Sequence, residues 1–315
     1  MAFKVNEYSY LSVSKLCNIY AKSIEPENRQ EIKAVFQIAH GMAEHSARYD
    51  AFAEFLASHG YAVFINDHLG HGKSISGEDE LGYFGKENGR DALVNDVKTL
   101  TGIAKKEFPD KPVVLFGHSM GSFVVRKYCA LYGDNIDAAI FCGTSGSNPG
   151  AGIGAALAAV IAREKGDHHR SHLLDSLAFG SYNKRFKPAR TNYDWLTRDE
   201  KIVDQYVADP LCGFRFTDPG YRELFKLLED VSAKKWYNSV PYILPILLIS
   251  GDDDPVGAYG KGIREVSAGL KKSGHQDVTM KLYPGGRHEI LNELNKEEVY
   301  QDILEWADTK IAAKA

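Results

Sequence analysis

At 315 residues, 44% hydrophobic and 25% charged, the chain has the length and apolar content for one large globular core with room for an inserted subdomain. A net charge of −4 excludes the basic field that would draw in nucleic acid or an anionic membrane. Cys17, Cys129, Cys142 and Cys212 form no Cys-x-x-Cys pair, which excludes that zinc or redox signature and suits reduced thiols in a cytoplasmic protein.

The opening residues, MAFKVNEYSYLSVSKLCNIYAKS, hold no apolar core of signal-peptide length and predict paired strands at Tyr8–Val13 and Asn18–Ser23. Lys33–His40 (KAVFQIAH) then reads as a strand, Arg48–Ser58 as a helix and Tyr61–Asp67 (YAVFIND) as a strand. A helix follows over Gly89–Lys106, with Leu93, Val97, Leu100 and Ile103 at helical spacing. Pro112–His118 predicts a strand, Met120–Leu131 a helix and Ile136–Gly143 a strand. Strands alternating with helices imply an α/β fold: a mostly parallel sheet, covered on both faces, with right-handed crossovers.

After Gly143 the rhythm breaks, and residues 144–242 hold no strong strand. Their apolar segment Ala151–Ala162 (AGIGAALAAVIA) is too short to span a bilayer, and no other run reaches the roughly eighteen apolar residues required. Such a helix either packs into the interior of its own subdomain or touches aggregated lipid. The rhythm resumes with the strand Leu244–Asp252, a helix near Gly262–Lys272, the strand Asp277–Tyr283 and a terminal helix Lys296–Ala312. The expected organisation is one core, residues 1–143 and 243–315, interrupted by a helical cap at 144–242.

The strand VVLF runs into Gly117-His118-Ser119-Met120-Gly121, after which a helix begins. Gly-x-Ser-x-Gly between strand and helix is a nucleophile elbow: a sharp, strained turn with the serine at its tip and small residues at its flanks. A serine nucleophile needs an imidazole to take its proton and a carboxylate to orient that imidazole, in the chain order Ser, Asp or Glu, His. Asp252, Asp253 and Asp254 follow one late strand, and His288, in YPGGRHEIL, follows the next. An oxyanion needs two N–H donors, here expected from Met120 and from Met42 in the loop after VFQIAH. The cluster His168, His169, His172 lacks a supporting ligand pattern and reads as a solvated polar face. Gly70–Ser74 (GHGKS) resembles the end of a phosphate loop, but Asp67 stands where that loop requires glycine, so nucleotide binding is rejected.

HGMAEHSARY, DHLGHGKS and GHSMGS, with GDDDPVG and YPGGRHEILNE, together resemble the monoacylglycerol lipase and lysophospholipase branch of the α/β-hydrolases, the serine-aminopeptidase-like hydrolases. The likeness spans residues 35–306 and is weaker through the cap. It implies Ser119 as nucleophile, Asp254 as acid, His288 as base, and Met42 and Met120 as oxyanion donors, with Glu44 and His45 bracing the oxyanion loop. Arg48 either reaches a polar head group or forms a surface ion pair. The implied activity is hydrolysis of a single-chain lipid ester, a monoacylglycerol or lysophospholipid, through an acyl-enzyme. Neither metal nor organic cofactor is needed, and a transient contact between the cap and a lipid surface is expected. An aminopeptidase or small-ester esterase on the same triad is the first rival, and a catalytically silent binding protein the second.

Overall fold

The computed structural model describes residues 3–312. In chain order the elements are β1 (Phe3–Leu11), β2 (Asn18–Pro26), β3 (Ala34–Ala39), α1 (Asp50–Ser58), β4 (Tyr61–Asn66), α2 (Gly89–Glu107), β5 (Val113–His118), α3 (Met120–Tyr132) and β6 (Ala138–Cys142). The helices α4 (Ala151–Lys165), α5 (His172–Phe179), α6 (Glu200–Ala208), α7 (Asp218–Ser232) and α8 (Lys234–Ser239) follow without a strand. The chain then returns to the sheet as β7 (Ile246–Gly251), α9 (Lys261–Lys272), β8 (Val278–Tyr283) and α10 (Lys296–Ala312).

The strands form one sheet in the order β1-β2-β4-β3-β5-β6-β7-β8. Among the described residues of this sheet, the β1–β2 and β2–β4 pairings are antiparallel and the others parallel. Every residue of β3 to β7 is buried, the mark of parallel strands covered on both faces. β1 starts earlier than its aromatic run suggests, because its alternating exposure is that of an edge strand, whose solvent-facing positions carry no apolar signal. Pairings such as His118 with Cys142 and Gly251 with Tyr283 bring the C-terminal ends of the parallel strands to one edge. In open α/β sheets, that edge is where the loops gather into a site.

The inserted helices form a cap that is fused to the core. α7 packs on α2 and α3, and Leu227 and Val231 share a buried cluster with Val97 and Val124 of those helices. The Thr217 side chain caps α7 by accepting from Gly220 N, and proline follows in the first turn. α4 is not buried all round. Ala151, Ala155, Ala158 and Ala162 face inward, while Ile153 is 76% and Val160 56% exposed. The small alanine stripe lets α4 lie close on α7, and this close approach points the branched side chains outward.

Where cap and core join, Arg126 of α3 is fully buried. It donates to Thr144 Oγ1 (3.3 Å) and Ser145 O (2.8 Å) at the start of the insertion and to Val231 O (2.5 Å) near its end. Its guanidinium lies 4.4 Å from the Trp236 ring centre, and Trp236 Nε1 donates to Arg126 O at 2.7 Å. Burial pushes the guanidinium down to about 10.

Candidate active site

Ser119 sits between β5 and α3 with φ 52° and ψ −120°, a strained conformation for a residue with a Cβ. The turn is tight enough to exclude side chains at its flanks. A Cβ on Gly117 would stand 2.3 Å from Gly121 O, and one on Gly121 would stand 2.1 Å from Ala39 O. Ser119 N donates to Cys142 O at 3.0 Å, which ties the elbow to the neighbouring strand end. Met120 opens α3, so its N–H belongs to the first turn, where no intrahelical acceptor is available.

His288 reaches the same edge after β8, and Asp254 after β7. Both carboxylate oxygens of Asp254 lie 3.0 Å from His288 Nδ1, with both side chains buried. Asp254 also accepts from Val256 N (2.8 Å) and Ser250 Oγ (3.1 Å), so its oxygens are satisfied. The two neighbouring acids turn elsewhere: Asp252 accepts from Gly285 N at 2.7 Å, and Asp253 lies 3.9 Å from Arg185. Of the three, Asp254 alone meets the imidazole. Burial by itself would lower the His288 value, but the facing carboxylate more than offsets it and holds the imidazole above the ordinary 6.5. Burial likewise pushes Asp254 up, and the imidazolium charge overcomes it, leaving Asp254 below the ordinary 3.8. With Nδ1 occupied by the carboxylate, Nε2 is the nitrogen free to exchange a proton. No hydrogen bond joins it to Ser119 Oγ among the described residues, a contact that tightens in many hydrolases only once substrate binds.

The loop after β3 approaches the serine from the other side. A Cβ on Gly41 would be 3.2 Å from Ser119 Cβ. A buried residue that the sequence reading passed over sets this loop's direction. His40 Nε2 accepts the backbone N–H of His68 at 2.9 Å, and a backbone N–H can only donate. His40 Nδ1 therefore carries the proton and donates to Gly41 O at 2.7 Å. Because the peptide unit is planar and trans, fixing Gly41 O also fixes Met42 N–H, which points the opposite way. Burial pushes His40 down to about 3, so the neutral ring this bond requires persists at physiological pH. The dipeptide His40-Gly41 at a strand end was the available signal.

Glu44 accepts from Gly41 N (2.5 Å), Tyr49 Oη (2.8 Å) and Arg48 (2.6 Å). Arg48 also makes a two-pronged pair with Glu289, both contacts at 2.6 Å, and lies over the Tyr206 ring. Arg48 thus forms an ion pair, as one of its two readings expects, but a mostly buried carboxylate–guanidinium–carboxylate bridge that links the Gly41 loop to the His288 loop instead of a surface pair. The cap grips both loops. Tyr206 Oη and Gly213 N each donate to Ala43 O at 2.9 Å, and Glu289 N donates to Leu196 O at 2.7 Å. Phe179, Tyr182, Trp195 and His288 form a chain of ring contacts with centroids 5.5, 4.9 and 5.1 Å apart, so cap aromatics wall one side of the imidazole.

The remaining polar motifs are absorbed by the scaffold. Asp67 accepts from Ser46 N (2.8 Å) and Lys73 N (2.7 Å), folding GHGKS back on itself. His168, His169 and His172 pair with Glu80, Asp218 and Arg215 respectively and do not converge. The cysteines are free thiols, and among the described residues no helix is long and apolar enough to cross a membrane.

The family described as "Serine aminopeptidase, S33" matches residues 30–295. A monoacylglycerol lipase of Mycolicibacterium smegmatis is 29% identical over 278 residues, covering 87% of this chain and 88% of that protein. The monoglyceride lipase of Homo sapiens is 28% identical over 290 residues, covering 89% and 84%. Among solved structures, a thermostable carboxyl esterase from Bacillus coagulans in complex with glycerol superposes with a TM-score of 0.91 at 32% identity, covering 99% of each chain.

Proposed function

Since the chain belongs to the serine aminopeptidase S33 family, with the α/β-hydrolase fold, we propose that it is a serine carboxylic-ester hydrolase using Ser119, Asp254 and His288. The observation that carries this reading is the buried Asp254–His288 pair, held at the same sheet edge as the strained Ser119 elbow. In the reaction, His288 Nε2 takes the proton of Ser119 Oγ as the oxygen attacks the acyl carbon. Asp254 holds the imidazole in the tautomer that leaves Nε2 basic and stabilises the imidazolium. Met42 N–H and Met120 N–H receive the oxyanion, and His288 then passes its proton to the leaving alcohol. Water, activated by the same nitrogen, releases the acid from Ser119. None of these steps calls for a metal or an organic cofactor.

The substrate class we infer is a single-chain lipid ester, a monoacylglycerol or lysophospholipid, in keeping with the lipases the chain resembles. The cap supports it. Ile153, Val160, Leu173 and Leu177 of α4 and α5 are all more than half exposed, an apolar display suited to transient contact with lipid. Residues 144–242 would be the substrate-selecting unit, and the four free thiols suit a cytoplasmic location. The likeness to a carboxyl esterase favours one second reading, a preference for small soluble esters. Ser119→Ala should abolish ester hydrolysis while keeping the melting temperature, and a fluorophosphonate should label Ser119 alone in the wild type. Turnover of p-nitrophenyl esters of rising chain length, beside monoacylglycerol, lysophosphatidylcholine and aminoacyl anilides, separates the substrate readings. Labelling at another residue would overturn the mechanism.

A further inference from the structure

We propose that His45, Asp209 and Cys212 form a binding site for a borderline divalent cation of the Zn2+ type, located outside the triad and joining the cap to the loop after β3. The imidazole nitrogen, carboxylate oxygen and thiol sulfur all lie within 4.8 Å of one another, and His45 Nε2 is already 2.8 Å from Asp209 Oδ2. Around a tetrahedral zinc with bonds of about 2.0–2.3 Å, ligand atoms stand roughly 3.3–3.8 Å apart. Fitting the ion therefore takes shifts of the order of an ångström, within the reach of the partly exposed His45 and Asp209 side chains against a buried Cys212. His45 and Asp209 are partly exposed, so an ion and the water completing its shell have an approach.

The donor set is mixed nitrogen, oxygen and sulfur, which favours zinc or cobalt over magnesium or calcium. The turn that carries two of the ligands is rigid, since Leu211 N donates to Asp209 Oδ1 at 2.8 Å and Cys212 N to Asp209 O at 3.0 Å. On binding, the Cys212 thiol gives its proton to solvent, a metal–sulfur bond forms and the ion sheds waters to the protein ligands. The ion would staple residues 209–212 to His45, beside the hydrogen bonds by which the cap already holds Ala43 O.

Cobalt(II) added to reduced, chelator-treated protein tests this without reference to catalysis. The wild type should develop a saturable thiolate-to-cobalt charge-transfer band at one equivalent, with zinc displacing the cobalt. Cys212→Ser should lose the band, whereas Cys17→Ser, which removes the partly exposed thiol elsewhere, should keep it. Asp209→Asn, which leaves the thiol in place, should weaken binding by about tenfold or more, and circular dichroism should show both Cys212→Ser and Asp209→Asn folded. A wild type without a saturable band, a band that survives in Cys212→Ser, or an Asp209→Asn variant that binds cobalt as tightly as the wild type overturns the site.

Discussion

The sheet edge and the cap treat side chains in opposite ways. At the edge, His40, Glu44, Asp254, His288 and Glu289 are polar and buried, each held by named partners. On the cap, Ile153, Val160, Leu173 and Leu177 are apolar and face outward. Burying the polar set strengthens its electrostatics and leaves it a single arrangement, as proton transfer demands. Exposing the apolar set costs little stability and keeps a sticky surface available. On the proposed reading, chemistry falls to the edge and substrate capture to the cap, two regions under different physical constraints.

That division can be broken at several points, and the edge should be the most sensitive. Asp254→Asn should lower kcat by about 10⁴, because the imidazole loses its tautomer, while Asp252→Asn should have a far smaller effect. Equal losses would show that the two acids share the role. His40→Ala should lower kcat by about 10² with KM nearly unchanged, since the Met42 N–H drifts from an oxyanion that exists only in the transition state. A pure KM effect would remove His40 from that positioning role.

The acid limb of kcat/KM should lie above pH 6.5, because the Asp254 carboxylate holds the His288 imidazolium above that ordinary value and only the neutral ring accepts a proton. Stability should respond with the opposite sign. The raised His288 value contributes fully below 6.5 and is lost as pH rises through the folded-state value. The lowered Asp254 value contributes above 3.8 and is lost as pH falls through its folded value. Denaturant titrations across this range, beside the rate profile, check both signs.

The smallest effect belongs to the cap. Ile153→Ser with Val160→Ser should reduce turnover of long-chain monoacylglycerol severalfold and leave short soluble esters alone, with stability within about 0.5 kcal/mol of wild type per substitution. If both substrates and the melting temperature fall together, the outward face of α4 is structural and the contrast between the regions fails there.

Local pattern made the core legible. Apolar runs bounded by glycine and proline located β3 to β8 to within a few residues, and the elbow glycines announced a close approach that the Gly121–Ala39 distance makes concrete. Chain order alone left three adjacent acids open, and the resemblance favoured Asp254, the one that faces His288. What stayed hidden depends on contacts between distant segments. Arg48 and Glu289 are 241 positions apart, and no local pattern forecasts their pairing. The orientation of α4 was equally illegible, because a helix apolar all round carries no polar face to say which side faces out. His40 was missed for another reason: its role lies in the direction of a neighbouring peptide plane.

Arg126 sets the kinematics of the insertion. One guanidinium on a core helix holds the incoming segment of the cap at Ser145 and the outgoing helix at Val231, so the two stems share a single pivot and cannot separate without breaking it. A hinge needs stems that rotate relative to the body, and here both are riveted to α3. Any opening over the serine therefore leaves both stems in place, and the residues between them would have to move along the core in the manner of a shear rather than a swinging door.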